Sequence, residues 1–210
     1  MTARDAPLLL THGPGDGGRI FLTFDDGPDP EWTPRVLDLL EAANVAATFF
    51  VVGRSALQQG ALLRRVAGCG HEIGNHSFSH RHPWAVSAAI ARREVRDGAA
   101  AIADLLGQPP RFYRPPHGRL RRCTTDEAQR CGETVALWSR SAVDWGPLGR
   151  ESGIAARLRR TQAGDIVLMH DGRGRINRPD ALCRVLPEFL ASVGSRGLVS
   201  ASLSEAVAAA

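Results

Sequence analysis

The sequence predicts an α/β protein whose parallel strands are joined by outer helices. Three observations carry this. Short β-rich apolar runs alternate with amphipathic runs along the whole chain. Nearly all successive strand candidates are separated by a helix candidate, and repeated βα units imply parallel strands with helical crossovers. The reactive residue types fall just past the strand candidates, at the end where parallel α/β folds bind ligands. There are seven strand candidates. A doubly wound sheet and a (β/α) barrel both fit, and seven units would leave the barrel incomplete.

Residues 1–18 read as a turn-rich lead-in, and 19–210 as one domain. In the lead-in, Gly13–Gly18 lacks the G-K-[ST] ending of a phosphate loop and precedes a strand rather than a helix. Ile20–Phe24 forms the first strand. Thr33 then acts as N-cap with Pro34 at the first helical position, ahead of Val36, Leu37, Leu39 and Leu40. Ala47–Val52 is the second strand. A helix from Ser55 carries Leu57, Leu62, Leu63 and Val66. His71–Gly74 is a short third strand. A long helix follows from Val86 to Leu106, with Ile90, Val95, Ile102 and Leu105 on its apolar face and Pro109-Pro110 beyond it. Strand Arg111–Arg114, helix Thr124–Arg130, strand Thr134–Trp138, helix Ile154–Arg160 and strand Asp165–Met169 come next. Helix Asp180–Val193, strand Leu198–Ser200 and a last helical turn at Ser204–Ala209 complete the series.

At 210 residues the chain can bury a core without staples. All 26 basic residues are arginine, which excludes a catalytic or Schiff-base lysine. The net charge is +4 and the pI about 9.4. With no aromatic–basic motif beside it, that charge does not argue for nucleic acid. Cys69, Cys123, Cys131 and Cys183 include no C-x2-C pair, so a thiolate zinc site is not expected and the thiols are read as buried. No apolar run is long enough to span a bilayer, and no signal-peptide core is visible, so a cytoplasmic chain is expected.

Asp25 and Asp26 end the first strand. Adjacent residues on an extended chain point opposite ways, so the two acids need distinct partners. His76-Ser77-Phe78-Ser79-His80 is an H-x3-H, and on a helical turn its two histidines would share a face. With a carboxylate they make a three-ligand set that leaves positions open for water and substrate, as in catalytic sites. His82, just before Pro83, reads as a loop residue. His170 ends an apolar strand, and its ordinary pKa suits a general acid. Asp144, if close, favours the imidazolium.

Five segments now line up in order. They are Thr23-Phe24-Asp25-Asp26-Gly27-Pro28, His76–His80, Arg114-Pro115-Pro116-His117-Gly118, Asp144-Trp145 and Leu168-Met169-His170. The chain resembles the polysaccharide deacetylases of the NodB-homology type, carbohydrate esterase family 4. The resemblance implies an incomplete or distorted (β/α) barrel. It implies a metal-dependent hydrolase that removes an N-acetyl group from an N-acetylglucosamine-type sugar, chitooligosaccharide-like or a glycan precursor. Asp26, His76 and His80 are then the ligands of a divalent metal, zinc first and cobalt or nickel as alternates. Asp25 becomes the base, oriented by Arg114. His170 becomes the acid, tuned by Asp144. The His117 backbone N–H becomes the oxyanion donor, and Trp145 and Leu168 wall the acetyl pocket.

Two positions depart from the family pattern. Ser141 stands where the D-x-x-D-W motif usually begins with an acid, and His117 replaces the usual aromatic. Arg173, Arg175 and Arg178, just after His170, are expected at the pocket mouth and would favour an anionic acceptor. Arg119, Arg121 and Arg122 are expected at the same end, whereas Arg150, Arg157, Arg159 and Arg160 read as an outer face. Two alternatives stand beside the main reading. One is a deformylase or deacetylase of a lipid-phosphate- or nucleotide-linked amino sugar. The other is an inactive glycan-binding module.

Overall fold

The structure is a computed structural model, and it describes residues 9–208. Leu8 of the first apolar run and Ala209 of the last helical turn lie outside the described residues. In chain order the strands are β1 (Leu9–Leu10), β2 (Arg19–Asp25), β3 (Thr48–Val51), β4 (Glu72–Asn75), β5 (Phe112–Tyr113), β6 (Thr134–Ala136), β7 (Arg140–Ser141), β8 (Ile166–His170) and β9 (Val199–Ser200). The helices are α1 (Trp32–Ala42), α2 (Gly53–Gln58), α3 (Gly60–Gly68), α4 (Ala88–Leu106), α5 (Arg122–Arg130), α6 (Glu151–Leu158), α7 (Pro179–Ser195) and α8 (Leu203–Ala208). The strand path runs β1-β6-β5-β4-β3-β2-β8-β7, with β9 beside the start of β2, and every pairing is parallel. This is an incomplete (β/α) barrel. Nine strands rather than seven are present among the described residues. Leu9–Leu10 pairs β6 from within the lead-in; the fifth predicted strand stops at Ala136 as β6, and β7 is an added strand beyond its predicted end.

The break between β6 and β7 is structural. Residues 134–141 run beside β5 at one end and beside β8 at the other. The Leu137 N–H donates to the Leu10 carbonyl and the Ser139 N–H to the Ile166 carbonyl as the segment crosses over. The crossing draws the ring together where a full barrel would have another strand. β2 and β8 are apolar and buried almost throughout, as strands covered on both faces must be. Outside the ring, Val36, Leu37, Leu40, Leu182, Leu186 and their neighbours fill one core between sheet and helices. Inside it, Phe21, Phe50, Phe112 and Ile166 form a second.

Several helix expectations need correcting. α1 begins at Trp32 with Glu31 at its N-cap, and Asp29 Oδ1 accepts from the Glu31 and Trp32 N–H groups at 2.9 Å. Thr33 is instead buried with its hydroxyl donating to Asp171. The helix from Ser55 breaks at Gln59, and Leu57 faces solvent. In α4 the buried face is Ala91, Val95, Gly98, Ala99 and Ile102; Ile90 is exposed because Ser87 starts the helix with that residue in its first turn. The cysteines are not buried: Cys69 is exposed and the other three are half-buried.

Candidate active site

A cleft of about 1000 Å³ opens at the C-terminal ends of the strands. Asp25, Asp26, His76, His80, His117, Trp145, Leu168, His170, Arg173 and Arg175 all line it. The strand ends explain this convergence. Register pairs Asp25 with His170 across β2 and β8, and with Phe50 across β2 and β3.

The two aspartates face different partners. Asp25, buried at the end of β2, accepts from Arg114 Nη1 through Oδ1 at 2.7 Å. Its Oδ2 lies 3.7 Å from His76 Nε2. Asp26 turns left-handed at φ 76° and sends its carboxylate to the histidines. Asp26 Oδ1 is 3.0 Å from His80 Nε2 and 3.4 Å from His76 Nε2. Burial opposes ionisation of Asp26, but the two imidazoles hold its carboxyl well below the usual range.

The H-x3-H segment is not a helical turn. It is a loop with left-handed residues at Ser77 (φ 67°) and His80 (φ 56°). The Gly53 and Arg54 N–H groups donate to the Ser77 and Phe78 carbonyls, and Glu94 of α4 accepts from both the N–H and the hydroxyl of Ser79. Gly98 lets α4 approach this loop closely, since a Cβ there would meet Asn75 and the Ser77 backbone. The loop thus brings both imidazoles to one point without helical spacing.

These atoms fit a cation. His76 Nδ1 lies 2.7 Å from the Arg114 carbonyl, which can only accept, so Nδ1 carries the proton and Nε2 is left with a lone pair. Asp26 Oδ1 is buried without a hydrogen-bond partner among the described residues. Asp26, His76 and His80 each present one ligand atom, all within 4.8 Å of one another. One carboxylate oxygen and two imidazole nitrogens that converge on one point are the donor set of a metal centre.

On the opposite wall, Asp144 is fully buried and accepts twice from His170, from its N–H at 2.8 Å and from Nδ1 at 2.9 Å. That leaves Nε2 of His170 free to face the cleft. Burial lowers the His170 pKa, but Asp144 outweighs it, and the pKa is raised to about 9. Trp145 packs edge-on against this ring at 5.2 Å.

Arg114 is buried inside the ring. It donates to Thr23 Oγ1 and Asp25 Oδ1 at 2.7 Å, and to the Ala136 and Leu137 carbonyls at 3.2 and 2.8 Å. Its guanidinium lies 4.0 Å over the Phe50 ring.

Ser141, in the place of the usual acid, accepts from the Val143 N–H. The left-handed turn at His117 (φ 58°) sets its ring 4.7 Å from that of His80. Arg119, Arg121, Arg122 and Arg178 do not line the cleft. Arg121 donates to the Pro83 and Val86 carbonyls and stacks on Trp84, and Arg122 pairs with Asp126. Three residues absent from the sequence reading belong to the site: Trp138 and Asn177 in the cleft wall, and Glu94 behind the loop. Nothing in their own sequence contexts marks them.

Fold and site together define a parallel half-barrel hydrolase with a carboxylate–histidine centre at its strand ends. The chain belongs to the polysaccharide deacetylase family, whose profile matches residues 12–136. It is 36% identical over 173 residues to a peptidoglycan-N-acetylglucosamine deacetylase of Bacillus cereus, covering 81% of each chain. It is 32% identical over 194 residues to a chitooligosaccharide deacetylase of Sinorhizobium fredii, covering 89% of this chain and 90% of the other. The solved Bc1960 peptidoglycan N-acetylglucosamine deacetylase, bound to 4-naphthalen-1-yl-N-oxidanyl-benzamide, superposes with a TM-score of 0.87 at 30% identity, over 94% of this chain and 92% of that one. A family 4 carbohydrate esterase from Streptomyces lividans in complex with acetate gives 0.79 at 29% identity, over 87% and 91%.

Proposed function

We propose that the protein hydrolyses the N-acetyl group of an N-acetylglucosamine-type glycan, releasing acetate and the free amine. The observation that carries this is Asp26 Oδ1, buried and unpartnered between two imidazole nitrogens, in the same cleft as an arginine-held carboxylate and an aspartate-held histidine. The names of the relatives support the substrate class. A divalent ion, zinc first and cobalt or nickel as alternates, would be held by Asp26, His76 and His80 and would supply Lewis-acid polarisation and acidification of water.

The protein's own groups do the rest. Asp25 takes the proton of the attacking water at Oδ2, because Arg114 occupies Oδ1 and fixes the carboxylate's orientation. The His117 backbone N–H is assigned to the developing oxyanion, a contact worth about 2.7–4 kcal/mol where such donors have been removed. His170 Nε2 delivers a proton to the departing nitrogen, since an amide anion is a very poor leaving group. Asp144 holds the opposite nitrogen and fixes both ring orientation and charge. Leu168 and Trp145 wall the space for the acetyl methyl.

One observation favours an anionic acceptor. Arg175 is exposed at the cleft mouth and has no carboxylate partner among the described residues, while Arg173 lies 4.0 Å from Glu31 and over the Trp32 ring. The test is acetate and formate release from chitooligosaccharides, peptidoglycan fragments, a UDP-amino sugar and an undecaprenyl-phosphate sugar. Acetate from the first two supports the main reading. Formate, or turnover of the last two alone, replaces it with the lipid- or nucleotide-linked alternative. No turnover of any by the metal-loaded protein leaves a glycan-binding module.

A further inference from the structure

We propose that Asn177 is a positioning residue that selects which oxygen of Asp26 faces the cation, and that it does so from the loop forming the cleft mouth. The inference rests on the metal reading above. Asn177 Nδ2 donates to Asp26 Oδ2 at 2.7 Å and to the Gly172 carbonyl at 3.0 Å. An amide NH₂ has two hydrogens, and these two bonds use both. One arm of the Asp26 carboxylate is therefore tied, and the other, Oδ1, is left turned toward His76 and His80. Without the tie, rotation about the carboxylate's last bond could carry Oδ2 into the same space. Asn177 thus enforces ligation through one oxygen and keeps a coordination position open.

The tie is anchored firmly. Asn177 forms a bridge with Trp145. On either side of it, the Gly146 N–H donates to the Ile176 carbonyl and the Arg178 N–H to the Asp144 carbonyl, each at 2.8 Å. Gly172 packs directly on Asp26, where a Cβ would collide with the Asp26 backbone. One residue therefore joins the cation ligand and the mouth loop that carries Arg173 and Arg175 by its side chain, and the segment that holds His170 through Asp144 by its backbone. The mouth loop and the ligand Asp26 cannot shift independently.

The test uses the metal-free protein and its variants Asn177→Ala and Asn177→Leu, the second keeping most of the volume without a donor. Zinc dissociation constants are measured by competition with a chromophoric chelator. Visible absorption spectra are recorded on the cobalt-loaded proteins, and melting temperatures on the metal-free ones. Zinc binding should weaken about 10- to 100-fold in both variants, the range seen when a ligand's outer partner is removed. The cobalt bands should change in position or intensity, and the metal-free melting temperatures should stay near wild type. If the leucine variant does not fold, the alanine variant decides alone. Unchanged zinc affinity and an unchanged cobalt spectrum in a folded variant overturn the proposal, whatever happens to turnover. A wild type that takes up neither ion overturns the metal reading, and this inference with it.

Discussion

The different tasks proposed for Asp25 and Asp26 follow from the left-handed turn at Asp26, which swings its carboxylate to the imidazoles while Asp25 stays on the strand end. Arg114 holds one acid and two imidazoles meet the other. Asp25→Asn should lower kcat by about 10²- to 10⁴-fold, the usual share of general acid–base catalysis, with zinc content by elemental analysis unchanged. His76→Ala should instead lower zinc content. The His170–Asp144 pair gives a pH prediction. Because the folded-state pKa is raised above its ordinary value, the pair's stabilisation is full below about 6.5 and is lost as pH rises through about 9. The proton needed by the leaving amine is lost over the same interval. The alkaline limb of the kcat/KM profile should therefore fall near pH 9, and in Asp144→Asn it should move to lower pH.

Among the elements, the segments that carry the site separate what the sequence reveals from what it hides. The strand ends bearing Asp25, His76, Arg114 and His170 are legible because apolar runs stop there and reactive residues follow. The shape of the 76–80 loop is not legible, since its left-handed turns at Ser77 and His80 arise from contacts with α2 and α4 rather than from local propensity. Asn177 is illegible for a related reason: its partner Asp26 lies 151 residues away, and an asparagine in an arginine-rich loop has no distinguishing pattern. The early end of the strand at Ala136 and the new strand β7 are equally non-local, being set by neighbours β5 and β8 at the two ends of the segment. Glu94→Ala leaves the Ser79 N–H without its acceptor and should cost about 1–3 kcal/mol in urea unfolding, with Glu94→Gln costing less.

For the whole molecule, the ring is closed by a crossing strand and by Arg114, which satisfies two of that strand's carbonyls from inside. An interior carbonyl left unpaired is costly, and so is a buried carboxylate that has lost its cation. Arg114→Met should therefore lower unfolding free energy by about 3–5 kcal/mol in urea titrations, and lysine should restore little because it lacks the planar fork. No described helix is long and apolar enough to cross a membrane. Arg114 has a consequence for how such a protein can change. The guanidinium that completes the wall also holds the proposed base, Asp25, so stability and turnover are expected to be pleiotropic at this position. A mutational library sorted only for folded protein would already retain the chemistry here, and drift that loosened the wall would silence the enzyme in the same step.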